Sequence, residues 1–176
     1  MKILPYTINI YFTGLMLTAL FSGCKTSEKK DEELSTIRLH LEVNKDGTSR
    51  NTAVPIYRSN PTLVNVMADS FLDERDIKEA AVVETMGGYA LMLQFDKHGT
   101  LVLDTETSSR KGSRIAIYAE FGPKRWLAAP LIKGRITDGV LTFTPDATRE
   151  ESERIARGLN NAARVMREKS SPMFQE

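Results

Sequence analysis

Arg114-Ile115-Ala116-Ile117-Tyr118-Ala119-Glu120-Phe121-Gly122-Pro123-Lys124-Arg125-Trp126-Leu127-Ala128-Ala129-Pro130-Leu131-Ile132 decides the fold class. Two apolar runs, Arg114 to Glu120 and Trp126 to Ile132, flank Phe121-Gly122-Pro123-Lys124-Arg125, whose Gly-Pro step breaks any periodic element. That is an antiparallel hairpin. Downstream, Val140 to Phe143 reads as another strand. Thr148 and Glu151 then have the spacing of a capping box, in which the hydroxyl accepts the Glu151 N–H and the carboxylate reaches back. Ile155, Ala156, Leu159, Ala162, Ala163 and Met166 come next at helical spacing, so a long amphipathic helix is expected to close the domain.

Upstream, Ile37, Leu39, Leu41 and Val43 alternate with Arg38, His40, Glu42 and Asn44, the period of a half-buried strand. Lys45-Asp46-Gly47-Thr48 is a turn, Ala53 to Arg58 a second short strand and Thr62 to Met67 a third. Asp73 looks like a helix N-cap, with Glu74 and Asp76 in the first turn and Leu72 and Ile77 placed as a hydrophobic staple. A helix carrying Ile77, Ala80 and Ala81 and stopped by Gly87-Gly88 is therefore predicted. Tyr89 to Phe95 is a strongly apolar strand, and Asp96-Lys97-His98-Gly99 a turn or helix start. The stretch 100–107 fits either period: Leu101, Leu103 and Thr105 alternate, while Leu101, Asp104 and Thr105 suit a helix.

Residues 1–23 have a different composition. Met1 and Lys2 form a short basic start, the run from Ile3 to Phe21 is uncharged, and Ser22-Gly23 are small residues immediately before Cys24. A charged stretch from Lys25 to Glu33 comes directly after. Leu20-Phe21-Ser22-Gly23-Cys24 resembles the lipobox of bacterial lipoproteins, with Phe21 in place of the usual Leu. That resemblance implies a diacylglycerol thioether on Cys24, cleavage after Gly23 and fatty acylation of the new amino group. Several acyl chains on one residue anchor a protein stably. The competing reading is an uncleaved transmembrane anchor, for which the run is close to minimal length. The expected organisation is a signal peptide over 1–23, a lipidated cysteine and charged spacer over 24–35, one domain over 36–168 and a tail over 169–176. Lys25 is not the aspartate that retains lipoproteins in the inner membrane of enteric bacteria, so in a Gram-negative host the periplasmic face of the outer membrane is favoured. Loss of Lys2 with the signal leaves Lys+Arg equal to the 23 Asp+Glu, and the formal charge of the whole chain is only +1. No nucleic-acid partner is expected. A single cysteine excludes an intramolecular disulfide.

From about Leu72 to Asn161 the chain resembles the head subdomain of the first periplasmic domain of SecD, the membrane-embedded accessory of the Sec translocase. Phe71-Leu72-Asp73-Glu74-Arg75-Asp76-Ile77-Lys78-Glu79-Ala80 resembles the family's acidic helix start, and Tyr89 to Gly99 its strand into an Asn/Asp-x-x-Gly turn. Gly112-Ser113-Arg114-Ile115-Ala116-Ile117 resembles its Gly-Lys-x-Leu-Ala-Ile strand, and Ala128-Ala129-Pro130-Leu131-Ile132 its Ser-Ala-Pro-x-Ile segment. Leu141-Thr142-Phe143-Thr144 with Glu150-Glu151-Ser152 stands where the family runs from a Gly-x-Phe-Thr strand into a Glu-Glu-Ala helix. The resemblance implies a helix over 99–109 and an α+β fold, mainly an antiparallel sheet with two to three helices packed on it. The family's membrane-spanning motor has no counterpart after residue 23. Gly158-Leu159-Asn160-Asn161-Ala162 replaces its Ala-Gly-x-Leu-Pro helix exit, and its glycine-rich segment is reduced to Gly134 and Gly139.

Catalytic chemistry is sparse. His40 and His98 have no metal-ligand spacing and read as surface histidines. Cys24 is consumed by lipidation, and no nucleophile elbow or phosphate loop occurs. Cap and dipole roles account for Asp73, Glu74 and Asp76, and for Glu150 and Glu151. No enzyme activity, cofactor or metal is expected. The remaining candidate is a protein-contact site at the hairpin tip, Phe121, Lys124, Arg125 and Trp126, weighed against the favoured reading that Trp126 folds back over the core. A lipid-anchored, non-catalytic binding module of the cell envelope is the expected function, with exported polypeptides or envelope proteins as partners. The alternatives are an accessory lipoprotein with no translocation role and, more remotely, an enzyme.

Overall fold

A computed structural model describes residues 33–45, 47 and 49–170, all within one compact unit. The expected signal peptide, Cys24 and the expected spacer as far as residue 32, together with Asp46, Thr48 and residues 171–176, lie outside the described residues.

The alternating N-terminal run forms β1 (Thr36–Leu41), the central strand of a four-stranded sheet. It pairs antiparallel with β7 (Ile115–Glu120) on one side and with the two-residue β4 (Leu72–Asp73) on the other. The deciding hairpin completes that sheet: β7 pairs with β8 (Lys124–Ala128), and the order is β4-β1-β7-β8. β8 is shorter than the sequence indicates because Pro130 has no N–H to give the ladder. Contact with the β7 side resumes at the Arg114–Leu131 bridge. A hairpin of β2 (Asn51–Ile56) and β3 (Thr62–Met67) covers the outer face of this sheet. Its Val54, Ile56, Val64 and Val66 form a separate core with Ala116 and Ala129.

The helix predicted from Asp73 is corrected by the structure. The cap is present: Asp73 accepts the Arg75 N–H, and the Asp76 carboxylate accepts the Asp73 N–H. It opens only one 3₁₀ turn, Glu74–Asp76, after which the chain runs as β5 (Ile77–Thr85). A capping box specifies a first turn, not a length. β-Branched Val82 and Val83 favour a strand, and Met86-Gly87 form the two-residue hairpin turn to β6 (Gly88–Phe95) in place of the expected helix stop. β6 also pairs with β9 (Val140–Phe143), giving a second sheet of order β5-β6-β9.

The ambiguous segment is helical, as the resemblance implies: α1 spans Lys97–Ser109, with Asp96 as N-cap accepting the Gly99 N–H. α2 (Arg149–Ser170) starts at the Thr148–Glu151 capping box, with both reciprocal bonds present. Its Ile155, Ala156 and Leu159 join Ile37, Leu39, Leu93 and Phe95 in the main core. The fold is thus α+β, with antiparallel sheets and two α-helices. No helix among the described residues is long and apolar enough to cross a membrane.

Candidate functional site

The second sheet has two edges, and the chain treats them differently. On β5 the outward N–H and C=O of Ala80 are taken up by one side chain of α2. The Ala80 N–H donates to Asn160 Oδ1 and Asn160 Nδ2 donates to the Ala80 oxygen, both at 2.8 Å. Arg167 donates to the Lys78 oxygen at 3.2 Å. Two side chains of α2 thereby occupy the backbone groups of an edge strand that would otherwise pair with another chain.

β9 is the other edge. Gly139 O accepts the Phe95 N–H at 2.9 Å, so by antiparallel alternation residues 141 and 143 face β6 while Val140 and Thr142 turn their backbone groups outward. The Val140 N–H is taken by Asp138 at 3.1 Å. Among the described residues no strand pairs with this outer edge. Beside it lies a groove of about 680 Å³, walled by the Pro130–Ile136 segment and floored by Ile115, Val140 and Leu141. That volume is in the range of ligand clefts. Leu131, 47% exposed, stands at its rim.

The groove wall is fixed from behind. Arg135 is paired with Asp104 of α1, and the Ile136 N–H donates to Thr107 Oγ1 at 2.9 Å. Arg135 holds the Asp104 carboxyl below the ordinary range by hydrogen bonding. At the start of β9, Gly139 has φ +67°, and a Cβ there would fall 2.1 Å from Thr100 Oγ1. Only glycine lets β9 begin this close to α1.

The candidate hairpin-tip residues are not presented together. Phe121 is 2% exposed and belongs to the main core, so it is unavailable for contact. Arg125 lies over its ring, 4.9 Å from the centroid, and donates to Glu151 at 2.5 Å. Burial pushes the Glu151 carboxyl up, but the bonds from the Thr148 N–H and Arg125 outweigh it and hold it low. Trp126 packs on the outer core, with Tyr118 and His40 rings 5.3 and 5.2 Å away. Of the four, Lys124 alone stands well out into solvent, paired with Glu120 at 3.3 Å. Strand alternation sets these directions: Phe121 continues the inward set Ile117 and Ala119, and Trp126 lies on the opposite face of β8 from Leu127.

The surface reading of His40 is likewise corrected. It is buried under the β2–β3 hairpin, and its Nδ1–H donates to Met67 O at 2.9 Å. Burial lowers its pKa below the ordinary 6.5. His98 is exposed, but its Nδ1–H donates to Asp76 at 2.8 Å, a bond that raises its pKa. Asp76, Asp96 and His98 bring one ligand atom each to within 4.8 Å of one another, close enough for a cation to bridge. The sequence hides this because Asp76 arrives from the 3₁₀ turn. Asp76 is engaged by Asp73 and His98, and Asp96 by Gly99, so capping bonds account for the convergence.

No family model matches the chain, and no curated protein matches it. Solved structures do. The architecture is, first, an antiparallel α+β fold with one sheet edge left open beside a groove. More particularly, it is SecD-head-like. The crystal structure of SecDF in its super-membrane-facing form is similar at TM-score 0.53 and 20% identity, over 73% of this chain and 19% of that one. A structure of SecDF, described as a membrane component that enhances protein export, is similar at TM-score 0.52 and 17% identity, over 91% of this chain and 71% of that one. The chain therefore spans about a fifth of the first of these proteins and most of the second.

Proposed function

We propose that this chain is a lipid-anchored, non-catalytic binding module of the cell envelope that holds extended segments of exported polypeptides. The likeness to SecDF over 91% of the chain carries the link to export, and the open β9 edge beside an apolar-rimmed groove supplies the chemistry. An extended chain added to β9 would bond to the outward N–H and C=O of Thr142, largely independent of its sequence, while Leu131 and Ile136 offer apolar contact to alternate side chains. That mode suits unfolded substrates. Cys24 supplies the membrane attachment, and the module holds its substrate in place.

The test is binding of residues 25–176 to a permanently unfolded, carboxymethylated polypeptide, read by fluorescence anisotropy. Thr142→Pro removes the outward N–H of an edge residue without touching the β6 pairing, a place where proline is tolerated. It should weaken binding about tenfold, as loss of one backbone bond worth about 1 kcal/mol plus steric exclusion implies. Leu131→Asp should act in the same direction. Absence of binding, or binding indifferent to both substitutions, refutes the reading.

A further inference from the structure

The loop that joins β2 to β3 holds a backbone outlier. Tyr57 has φ +67° and is the only non-glycine residue with positive φ among the described residues. An L side chain in this left-handed region costs stability, and a bulky residue rarely takes it. Glycine would satisfy the same turn at lower cost. The loop is pinned by a partner 88 residues further along the chain: the Arg58 N–H donates to Asp146 Oδ2 at 2.8 Å, and Arg58 Nε to the same oxygen at 3.1 Å. Arg58 Nη2 donates to Asp146 Oδ1 at 3.3 Å. These bonds fix the strained tyrosine against the connection from β9 to α2.

The side chain held there is not a core residue. Tyr57 is 39% exposed and borders a cleft of about 520 Å³, a volume in the range of small-molecule sites. Ser59, Asn60, Thr62 and Thr144, all exposed, add hydroxyl and amide groups to the lining. The carboxylate in the lining, Asp146, is already paired with Arg58. The cleft thus offers an aromatic face with neutral donors and acceptors, and a charged ligand has no unpaired counter-ion among the lining residues.

We infer that this cleft binds a neutral saccharide. The C–H face of a pyranose ring is apolar and packs on an aromatic face, while the hydroxyls at its rim bond to hydroxyl and amide side chains. Tyr57 is the platform. Asn60, whose amide both donates and accepts, is the group best suited to a sugar hydroxyl or acetamido group. The cleft shares no lining residue with the groove beside β9, so the inference stands apart from polypeptide binding there.

The experiment uses the full chain, purified from membranes in a detergent without a sugar headgroup. Triacetylchitotriose and maltotriose, both neutral, are the probes, and saturation-transfer NMR reads their contact with the protein. Transfer to the pyranose C–H protons of at least one of them is expected. Tyr57→Ala should weaken binding about tenfold, the loss of a stacked aromatic contact. Tyr57→Phe keeps the platform and should stay within about twofold. Asn60→Ala should weaken binding about fivefold, as loss of one hydrogen bond implies. Tyr57→Gly separates ligand from fold: it should weaken binding as alanine does while raising the urea midpoint by about 0.3–0.5 M, because the left-handed side chain is gone. No transfer to either sugar, transfer unchanged by Tyr57→Ala, or a lower midpoint for Tyr57→Gly overturns the inference. Binding of a carboxymethylated polypeptide that depends on Tyr57, with no binding of either sugar, would make the cleft a peptide subsite and overturn it equally.

Discussion

Replacing Asn160 with alanine removes the one side chain that satisfies both outward backbone groups of Ala80. Two bonds of 2.8 Å are lost at once, from a donor and an acceptor on a strand that α2 shields. Each bond contributes about 0.5–1.5 kcal/mol net, and a shielded group left without a partner costs about 1–3 kcal/mol, with some relief from entering water. The expected loss is about 2–4 kcal/mol. Urea denaturation of residues 25–176 would measure it through Trp126, the sole tryptophan, which packs against Tyr118 and His40. With a slope near 2 kcal/mol per molar, the midpoint should fall by about 1–2 M with the slope unchanged. Asn160→Asp sharpens the test. Its carboxylate would face the Ala80 oxygen, so the folded-state pKa is raised above the unfolded value. The variant's deficit is then smallest below the unfolded pKa and grows as pH rises through the folded one. A loss below about 0.5 kcal/mol for Asn160→Ala, or a flat pH profile for Asn160→Asp, would refute the claim that α2 seals the β5 edge through this residue.

Ser35 is fully buried and its hydroxyl has no hydrogen-bond partner among the described residues, so Ser35→Ala should be neutral or stabilising by up to about 1 kcal/mol in the same assay. Gly158→Ala should instead destabilise by about 1–3 kcal/mol despite better helix propensity, because the new Cβ falls 2.7 Å from the Ser35 backbone nitrogen. The two histidines should titrate on opposite sides of 6.5 in an NMR pH series. His98, raised by its bond to Asp76, contributes stability that is full below the unfolded value and lost as pH rises through the folded one. His40, lowered by burial, costs nothing above the unfolded value and destabilises as pH falls below it.

Local periodicity makes much of this fold legible. The strand alternation from Ile37, the hairpin from Arg114 and the Thr148–Glu151 box each depend on residues close in the chain, and each takes the expected form. The Asp73 box is also real, yet the conformation beyond it is decided by pairing of Ile77 to Thr85 with β6 and by the Asn160 clasp, 80 residues away from Ala80. A cap reports nothing about such distant partners. The hairpin tip is hard to read for the same reason: Phe121 reads as a turn residue and Trp126 as the first residue of a strand, while their packing depends on two separate cores above and below the sheet. The β9 edge leaves no sequence signal at all. Whether a strand is interior or marginal depends on which neighbours arrive, and the four residues Val140–Phe143 read alike in both settings.

The central place of β1 has a mechanical consequence. Any load applied at residue 33 runs along a strand flanked on both sides, with six residue pairs to β7 and two more to β4. Antiparallel hydrogen bonds lie across the strand direction, so such a load shears them together and cannot unzip them one by one. The Glu33 contacts with Arg154 and Asn161 sit ahead of that ladder and would yield first. They form a soft stage in series with a stiff one: the leash slackens before the body deforms.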